Sequence, residues 1–410
     1  MSIESERAKF NSAEAPSIAA SIGVTAPWKQ SGSSRFTYFA DHTRFLIVAG
    51  PQEGSEVELA LAFGLHYREN RRLVLALPHD HRFATSQRAA WLTATAQPEL
   101  WIHGDGPVRR VDLPTREETL GEFRKRLKDG QSLTEELHDA ATPAHLGIRS
   151  TAVYELVEWA TAHPALDASH RRGEREWQCM GQKVLSIKGA RDGLTIQAGI
   201  HYTGEGRTPP VSLKTTKGKL QPEELQAIQM LVASGVEARL NGPPPIHRDD
   251  EHWLQAVIRQ EPKLVGVEQP ALRELPAWRP ADAPKTWSRG YIDLIGLDGH
   301  GDVRIVETKL SKNPDPMLIL QGLDYYVWAK AYQKIVRTRL SAPERAEFEI
   351  HYVVGDTSMR EIHVSEFSAA QADSLGDDIR WRFQTVKDWY HGPRESDQAI
   401  STLLEPRTLP

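Results

Sequence analysis

Residues 291–310 read Tyr291-Ile292-Asp293-Leu294-Ile295-Gly296-Leu297-Asp298-Gly299-His300-Gly301-Asp302-Val303-Arg304-Ile305-Val306-Glu307-Thr308-Lys309-Leu310. Two aliphatic, β-branched runs flank Asp298-Gly299-His300-Gly301, a pattern that predicts two strands joined by a turn. With the turn centred near residues 299 and 300, Asp293 falls opposite Val306 or Glu307. Cross-strand neighbours lie about 5 Å apart between Cβ atoms. Two carboxylates that close repel unless something positive lies between them, and Mg²⁺ takes oxygen ligands of this kind. Glu307 and Lys309, two apart, project from one face of their strand, so an ammonium is set beside the acids. A surface hairpin with a charged rim accounts for Asp302 and Arg304. It does not account for Asp293 and Glu307 interrupting apolar runs at matching heights.

Working outward, Asp249-Asp250 offers an N-cap for a helix over Glu251–Gln260. Glu251, Leu254 and Ile258 share one face of it. Glu251 is then either a ligand aimed along the core stripe or an N-terminal charge favoured by the helix dipole. Downstream, Leu318–Lys330 reads as a helix with Gln321 and Tyr325 four apart on one side. Lys330, Lys334 and Arg337 continue it as a basic stripe, which suits either a phosphate backbone or a solvated face. Phe348–Asp356 and Ile379–Val386 read as further strands of the same sheet.

From about Arg248 to Val386 the chain resembles the PD-(D/E)xK nucleases. The family pattern is a helix with an acid, a strand with Asp, a strand with (D/E)-x-K, then a helix with Gln and often Tyr. Here these are Glu251, Asp293, Glu307-Thr308-Lys309, and Gln321 with Tyr325. Ile292 stands where the family name has proline. The resemblance implies a mixed sheet flanked by helices and hydrolysis of phosphodiester bonds leaving 5′-phosphate. It implies Mg²⁺ or Mn²⁺ held by Asp293, Glu307 and the backbone carbonyl of Thr308, with Glu251 contributing directly or through water. Lys309 would position the attacking water, and Gln321 would steady Lys309 or a phosphate. Tyr325, Lys330, Lys334 and Arg337 would face nucleic acid, DNA ahead of RNA.

The rest of the chain reads as further modules, an α/β and α+β chain overall. Residues 1–34, rich in Ser and Ala, read as a flexible tail. Residues 35–112 alternate apolar runs (Arg44–Gly50, Arg71–Pro78, Pro98–Gly104) with helix-like stretches, the order of a small parallel, Rossmann-like α/β unit. The loop Gly50-Pro51-Gln52-Glu53-Gly54-Ser55 lies at the strand end where such sheets bind ligands; it reads as a structural turn ahead of a small-molecule sensor. His79, Asp80, His81 and His103 meet no ligand spacing. Residues 113–165 are a helical connection.

Residues 166–240 form a β-rich module closed by a helix, with Ala190-Arg191-Asp192-Gly193 as a hairpin signal. Between Ala168 and Lys219 stand ten Lys/Arg and four Asp/Glu, a local +6 that leaves −11 elsewhere in a chain of net −5. Lys183, Lys188 and Lys214 are its candidate nucleic-acid contacts; a solvated sheet face explains the charge as well. Asn241-Gly242-Pro243-Pro244-Pro245 opens a proline-rich linker, 241–247, before the nuclease-like domain at 248–400.

Among 410 residues, Cys179 is the single cysteine, which excludes an intrachain disulfide and a cysteine-rich zinc site. No apolar run approaches the length of a membrane span, and no secretory signal is evident. A cytoplasmic location with no membrane partner is expected, and a homo-oligomer is compatible with everything above. The layout, a cutting domain behind extra modules, resembles prokaryotic antiviral defence effectors such as Shedu. A repair or recombination endonuclease is the nearest competitor, and a nucleic-acid-binding protein with an inactive nuclease fold is the rival from another class.

Overall fold

The computed structural model describes residues 3–30, 36–50, 54–126, 151–171, 174–190, 193–200, 211–216, 220–241, 251–282, 286–310, 315–355, 366–387, 389 and 401–404. The chain is mixed α/β, with three sheets among the described residues. It divides into two compact units. One comprises Met1–Gly130, Val265–Val386 and Ser401–Pro410, the other Gln131–Leu264 and Lys387–Ile400. The division therefore falls at Val265 and not at the prolines, which lie outside the described residues.

The first unit opens with α1 (Ile3–Lys9), a π-helical stretch over Phe10–Glu14, and α2 (Ala15–Ser21). The expected tail is thus helical and packed. Phe10, Ala15, Ile18, Ala19 and Ile22 are buried against Phe39, Leu46, Val48 and Val74. Ala15, Ile18, Ala19 and Ile22 keep helical spacing, but the π turn places Phe10 five residues before Ala15. That extra residue breaks the sequence period and hides the helix. A Cβ on Gly50 would come 2.6 Å from the Phe10 ring, so the glycine at the first parallel strand's end makes room for this segment.

Six strands follow in linear order: β1 (Trp28–Gln30), β2 (Phe36–Ala40), β3 (Arg44–Ala49), β4 (Arg72–Pro78), β5 (Glu99–His103) and β6 (Arg109–Val111). β3, β4 and β5 are parallel, as their unbroken apolar runs predict for strands covered on both faces. The edge strands are antiparallel additions that the sequence pattern missed. α3 (Gly54–Tyr67) and α4 (Phe83–Ala89) cross between the parallel strands, and α5 (Arg116–Arg126) follows. α4 is shorter than expected because the chain leaves it to pair elsewhere: Leu92 bridges Leu375, and the Thr93 N–H donates to the Ser374 carbonyl.

The second unit holds α6 (Thr151–Ala162) and an antiparallel sheet of order β11-β10-β9-β8-β7. Its strands are β7 (Asp167–Arg171), β8 (Glu174–Cys179), β9 (Gln182–Ala190), β10 (Gly193–Ala198) and β11 (Val211–Thr216). Ala190 pairs with Gly193, so β9 and β10 form the expected hairpin with two linking residues, 191 and 192, and the glycine paired at the start of β10. α7 (Pro222–Asn241) and α8 (Glu251–Gln260) complete the unit.

The site-bearing sheet belongs to the first unit: β12 (Glu268–Pro280), β13 (Trp287–Leu297), β14 (Val303–Leu310), β15 (Phe348–Gly355), β16 (Arg380–Val386) and β17 (Ser401–Leu404), in that order. β14, β15 and β16 run parallel, and the flanking pairs are antiparallel. α9 (Leu318–Ala331) and α10 (Gln333–Leu340) cross from β14 to β15, and α11 (Glu366–Ala372) from β15 to β16. The predicted continuous helix is two helices, broken at Tyr332 (φ −110°, ψ 23°). The Tyr332 hydroxyl donates to the Phe123 carbonyl of α5. Further contacts join this sheet's elements to the N-terminal half: Trp287 lies between Phe83 and Phe123, and Trp91 meets Tyr326 edge-on.

Candidate functional site

The β13–β14 turn is held by Asp298, whose Oδ1 accepts the N–H groups of His300 (2.8 Å) and Asp302 (3.0 Å). Its Oδ2 pairs with Arg304 at 3.2 Å. From that turn the ladder runs Leu297↔Val303, Gly296↔Arg304, Ile295↔Ile305, Leu294↔Val306. The next position outward in this register is Asp293 with Glu307, the second of the two alternatives read from the sequence. At that point the regular pairing gives way to a side-chain bond. Asp293 Oδ2 accepts the Thr308 N–H at 2.8 Å and its hydroxyl at 2.6 Å. The Thr308 side chain was not foreseen as a partner; it orients one oxygen of Asp293.

Glu307 is 1 % exposed. Its Oε1 accepts Gln321 Nε2 at 2.6 Å and Lys309 Nζ at 3.3 Å. Its Oε2 is buried with no hydrogen-bond partner among the described residues. A buried carboxylate oxygen left unmade is costly. Burial first, then the charge of Asp293, push the Glu307 carboxyl well above the ordinary carboxylate range, against the opposing pull of Lys309 and Arg279. Burial and the neighbouring Asp293 thus favour the neutral form of this carboxyl, and a positive charge at the site would favour the ionised one.

α9 supplies the back of the site. Gln321 Nε2 reaches Glu307 Oε1, the same oxygen that Lys309 uses. Tyr325 is 1 % exposed. Its hydroxyl accepts the Tyr291 N–H at 3.2 Å and Gln321 Nε2 at 3.4 Å. It positions Gln321 from within the core and is too deeply buried to be the nucleic-acid contact expected of it. A Cβ on Gly290 would stand 2.6 Å from that hydroxyl and 2.8 Å from Arg279 Cδ, so the glycine is what lets both approach β13. Arg279 and Gly290 carry no motif, and only the fold reveals them.

Among the described residues no group of three or more His, Cys, Asp and Glu side chains converges. The groups that could hold a cation are the Asp293 and Glu307 carboxylates, oxygen donors that hard cations take together with water. Thr308, whose carbonyl the resemblance names, is 1 % exposed on β14.

The remaining expected residues divide. Glu251 begins α8 in the second unit, half-buried, with Gln255 Nε2 at 3.4 Å from its Oε1. Leu254 and Ile258 of its stripe are buried as predicted. Lys330 and Arg337 lie on different helices and both cover the Phe348 ring, at 5.4 Å each. Arg337 also donates to the Ala346 carbonyl. Lys334 alone of that stripe is fully exposed. In the second unit, Lys183 is bound to Glu174 (3.0 Å) and Glu176 (3.4 Å), so its charge is spent within the sheet. Lys188 and Lys214 are exposed and flank Thr195 from either side across three strands.

No protein-family model matches this chain, and none of the curated proteins compared with it matches either.

Proposed function

We propose that the chain is a metal-dependent nuclease of the PD-(D/E)xK type with a restriction-endonuclease-like C-terminal sheet, acting on nucleic acid, DNA ahead of RNA. The observation that carries this reading is the buried Glu307, one oxygen unpartnered, in register with Asp293 and two residues from Lys309. Asp293, Glu307 and the Thr308 carbonyl would hold Mg²⁺ or Mn²⁺. When bound, such an ion polarises the scissile phosphate and lowers the pKa of its water.

The residues themselves do the positioning. Thr308 fixes Asp293 through Oδ2, which accepts both its N–H and its hydroxyl. Gln321 pins Glu307 Oε1, so Oε2 keeps a fixed direction. Lys309 Nζ, anchored on Glu307 Oε1, would orient an attacking water and offset charge on the phosphate.

Incubation of the protein with plasmid, linear duplex, single-stranded DNA and RNA tests this. Cleavage is expected with Mg²⁺ or Mn²⁺, poorly with Ca²⁺, and not in EDTA, with 5′-phosphate ends. Full cleavage in chelator would sink the assignment. Binding without cleavage on any substrate would transfer it to the inactive-fold reading.

A further inference from the structure

Behind the carboxylates lies a second set of buried charges that the reaction itself does not use. Asp324 sits on α9 one helical turn beyond Gln321 and is 2 % exposed. Arg88 of α4 grips it with a two-pronged contact, Nε to Oδ1 at 2.9 Å and Nη2 to Oδ2 at 2.8 Å. Arg279 of β12 adds Nε to Oδ2 at 3.2 Å. The other prong of Arg88, Nη1, holds Glu58 of α3 at 2.8 Å, and Glu58 Oε1 accepts the Asp282 N–H at 3.2 Å. Two cations thus face two anions, with the Arg88 and Asp324 side chains each 1 % exposed.

A buried ionic set of this kind adds little stability over apolar residues of the same volume, because desolvation consumes the Coulomb gain. What it does supply is direction. A bidentate guanidinium–carboxylate pair fixes both partners in plane and rotation. The direction fixed here is that of α9, whose Gln321 must meet Glu307 within hydrogen-bond tolerance. Arg279, held by the same carboxylate, packs over the Tyr325 ring at 5.7 Å, and the Tyr325 hydroxyl in turn touches Gln321.

We infer that Arg88, a residue of the N-terminal α/β half, is a positioning residue for the carboxylate site, acting through Asp324 and Arg279 on Gln321 and Glu307. The inference rests on the nuclease reading for its kinetic arm only. Its consequence is that residues 248–410 lack part of what sets their own site; the N-terminal half completes it.

The experiment compares full-length Arg88→Met, Arg88→Lys and the apolar double variant Arg88→Met/Asp324→Leu. Thermal unfolding, cleavage kinetics and the side-chain amide signal of ¹⁵N-labelled Gln321 in metal-free protein are followed. Arg88→Met is expected to lose stability and about 10²-fold in kcat at unchanged KM, the cost of a misplacement near 1 Å. Arg88→Lys, with charge but no fork, should fall between. The double variant should regain stability while kcat stays low and the Gln321 signal stays displaced from the native position. A double variant that recovers both stability and kcat would make Arg88 merely structural and overturn the inference. If the native protein cuts nothing, the nuclease reading fails by itself, and the Gln321 signal alone decides: displaced in the double variant it supports positioning, unmoved it refutes it.

Discussion

Gly290→Ala puts a single methyl group where the site has no room. The new Cβ would stand 2.6 Å from the Tyr325 hydroxyl, 3.0 Å from Tyr325 Cε1 and 2.8 Å from Arg279 Cδ. Ordinary contact begins near 3.4 Å, so the ring must retreat by about 0.8 Å (3.4 less 2.6). Gly290 is not among the left-handed glycines, so alanine suffers no backbone strain and the clash is the whole effect. Tyr325 is walled in by the core, and overpacking of this kind costs about 1–3 kcal/mol. Its hydroxyl cannot shift without releasing the Tyr291 N–H or carrying Gln321 away from Glu307. A displacement near 1 Å at a positioning group costs about 10²-fold in rate. The expected outcome is a stable protein at assay temperature whose single-turnover cleavage is about 10²-fold slower, with nucleic-acid affinity unchanged. A variant that cuts at the native rate would show that Tyr325 and Gln321 do not set the geometry of Glu307, and the account of α9 as the back of the site would fall.

Lys309→Ala should lower cleavage by about 10²- to 10⁴-fold while a binding assay reports almost native affinity; undiminished cutting would make the motif a coincidence of spacing. Asp293→Asn should stop cutting through loss of the cation, read directly by Mn²⁺ titration of the purified variant. The Glu307 contribution to the stability of the metal-free protein should fall as pH rises, opposite in sign to that of His351, whose pKa burial lowers to about 3. Burial raises the Glu307 carboxyl, so the folded chain keeps a proton that the unfolded chain releases, and the penalty grows from the unfolded pKa up to the raised folded one. The slope is at most about 1.4 kcal/mol per pH unit. Asp282, pushed up to about 6 by burial, adds to the same trend. Denaturant unfolding in EDTA from about pH 5 to about pH 8 should therefore show a more positive slope of stability against pH for Glu307→Gln than for the native chain; equal slopes would contradict the raised Glu307 carboxyl. In the second unit, Lys188→Glu with Lys214→Glu should reduce the salt slope of nucleic-acid binding by about 2 if that face meets phosphates. Lys183 is excluded from the test because Glu174 and Glu176 already hold it; an unchanged slope would leave the face merely solvated.

The hairpin was legible because everything about it is local. A turn of Asp and Gly, a period of two and a fixed register place Asp293 beside Glu307 with no help from the rest of the chain. The parallel runs of β3 and β4 were legible for the same reason. What escaped the sequence is what depends on distant partners. Arg88 and Asp324 are 236 positions apart and carry no motif. Gly290 reads as one more glycine until Tyr325 is seen above it. The N-terminal helices were missed through a single extra residue in their period. The expected domain boundary followed composition, whereas the fold joins residues before Gly130 to residues after Val265 and leaves Glu251 with its sequence neighbours in the other unit.

That joining of two distant stretches bears on how the molecule comes into being. During synthesis β1 to β6 emerge first, and their partners beyond Val265 follow only after the whole of 131–264 has been made. The Leu92–Leu375 bridge and the Arg88–Asp324 pair span 283 (375 less 92) and 236 positions, long-range contacts of the kind that slow folding. A translation product ending before Asp324 would carry Asp293, Glu307 and Lys309 without the Arg88–Asp324 pair.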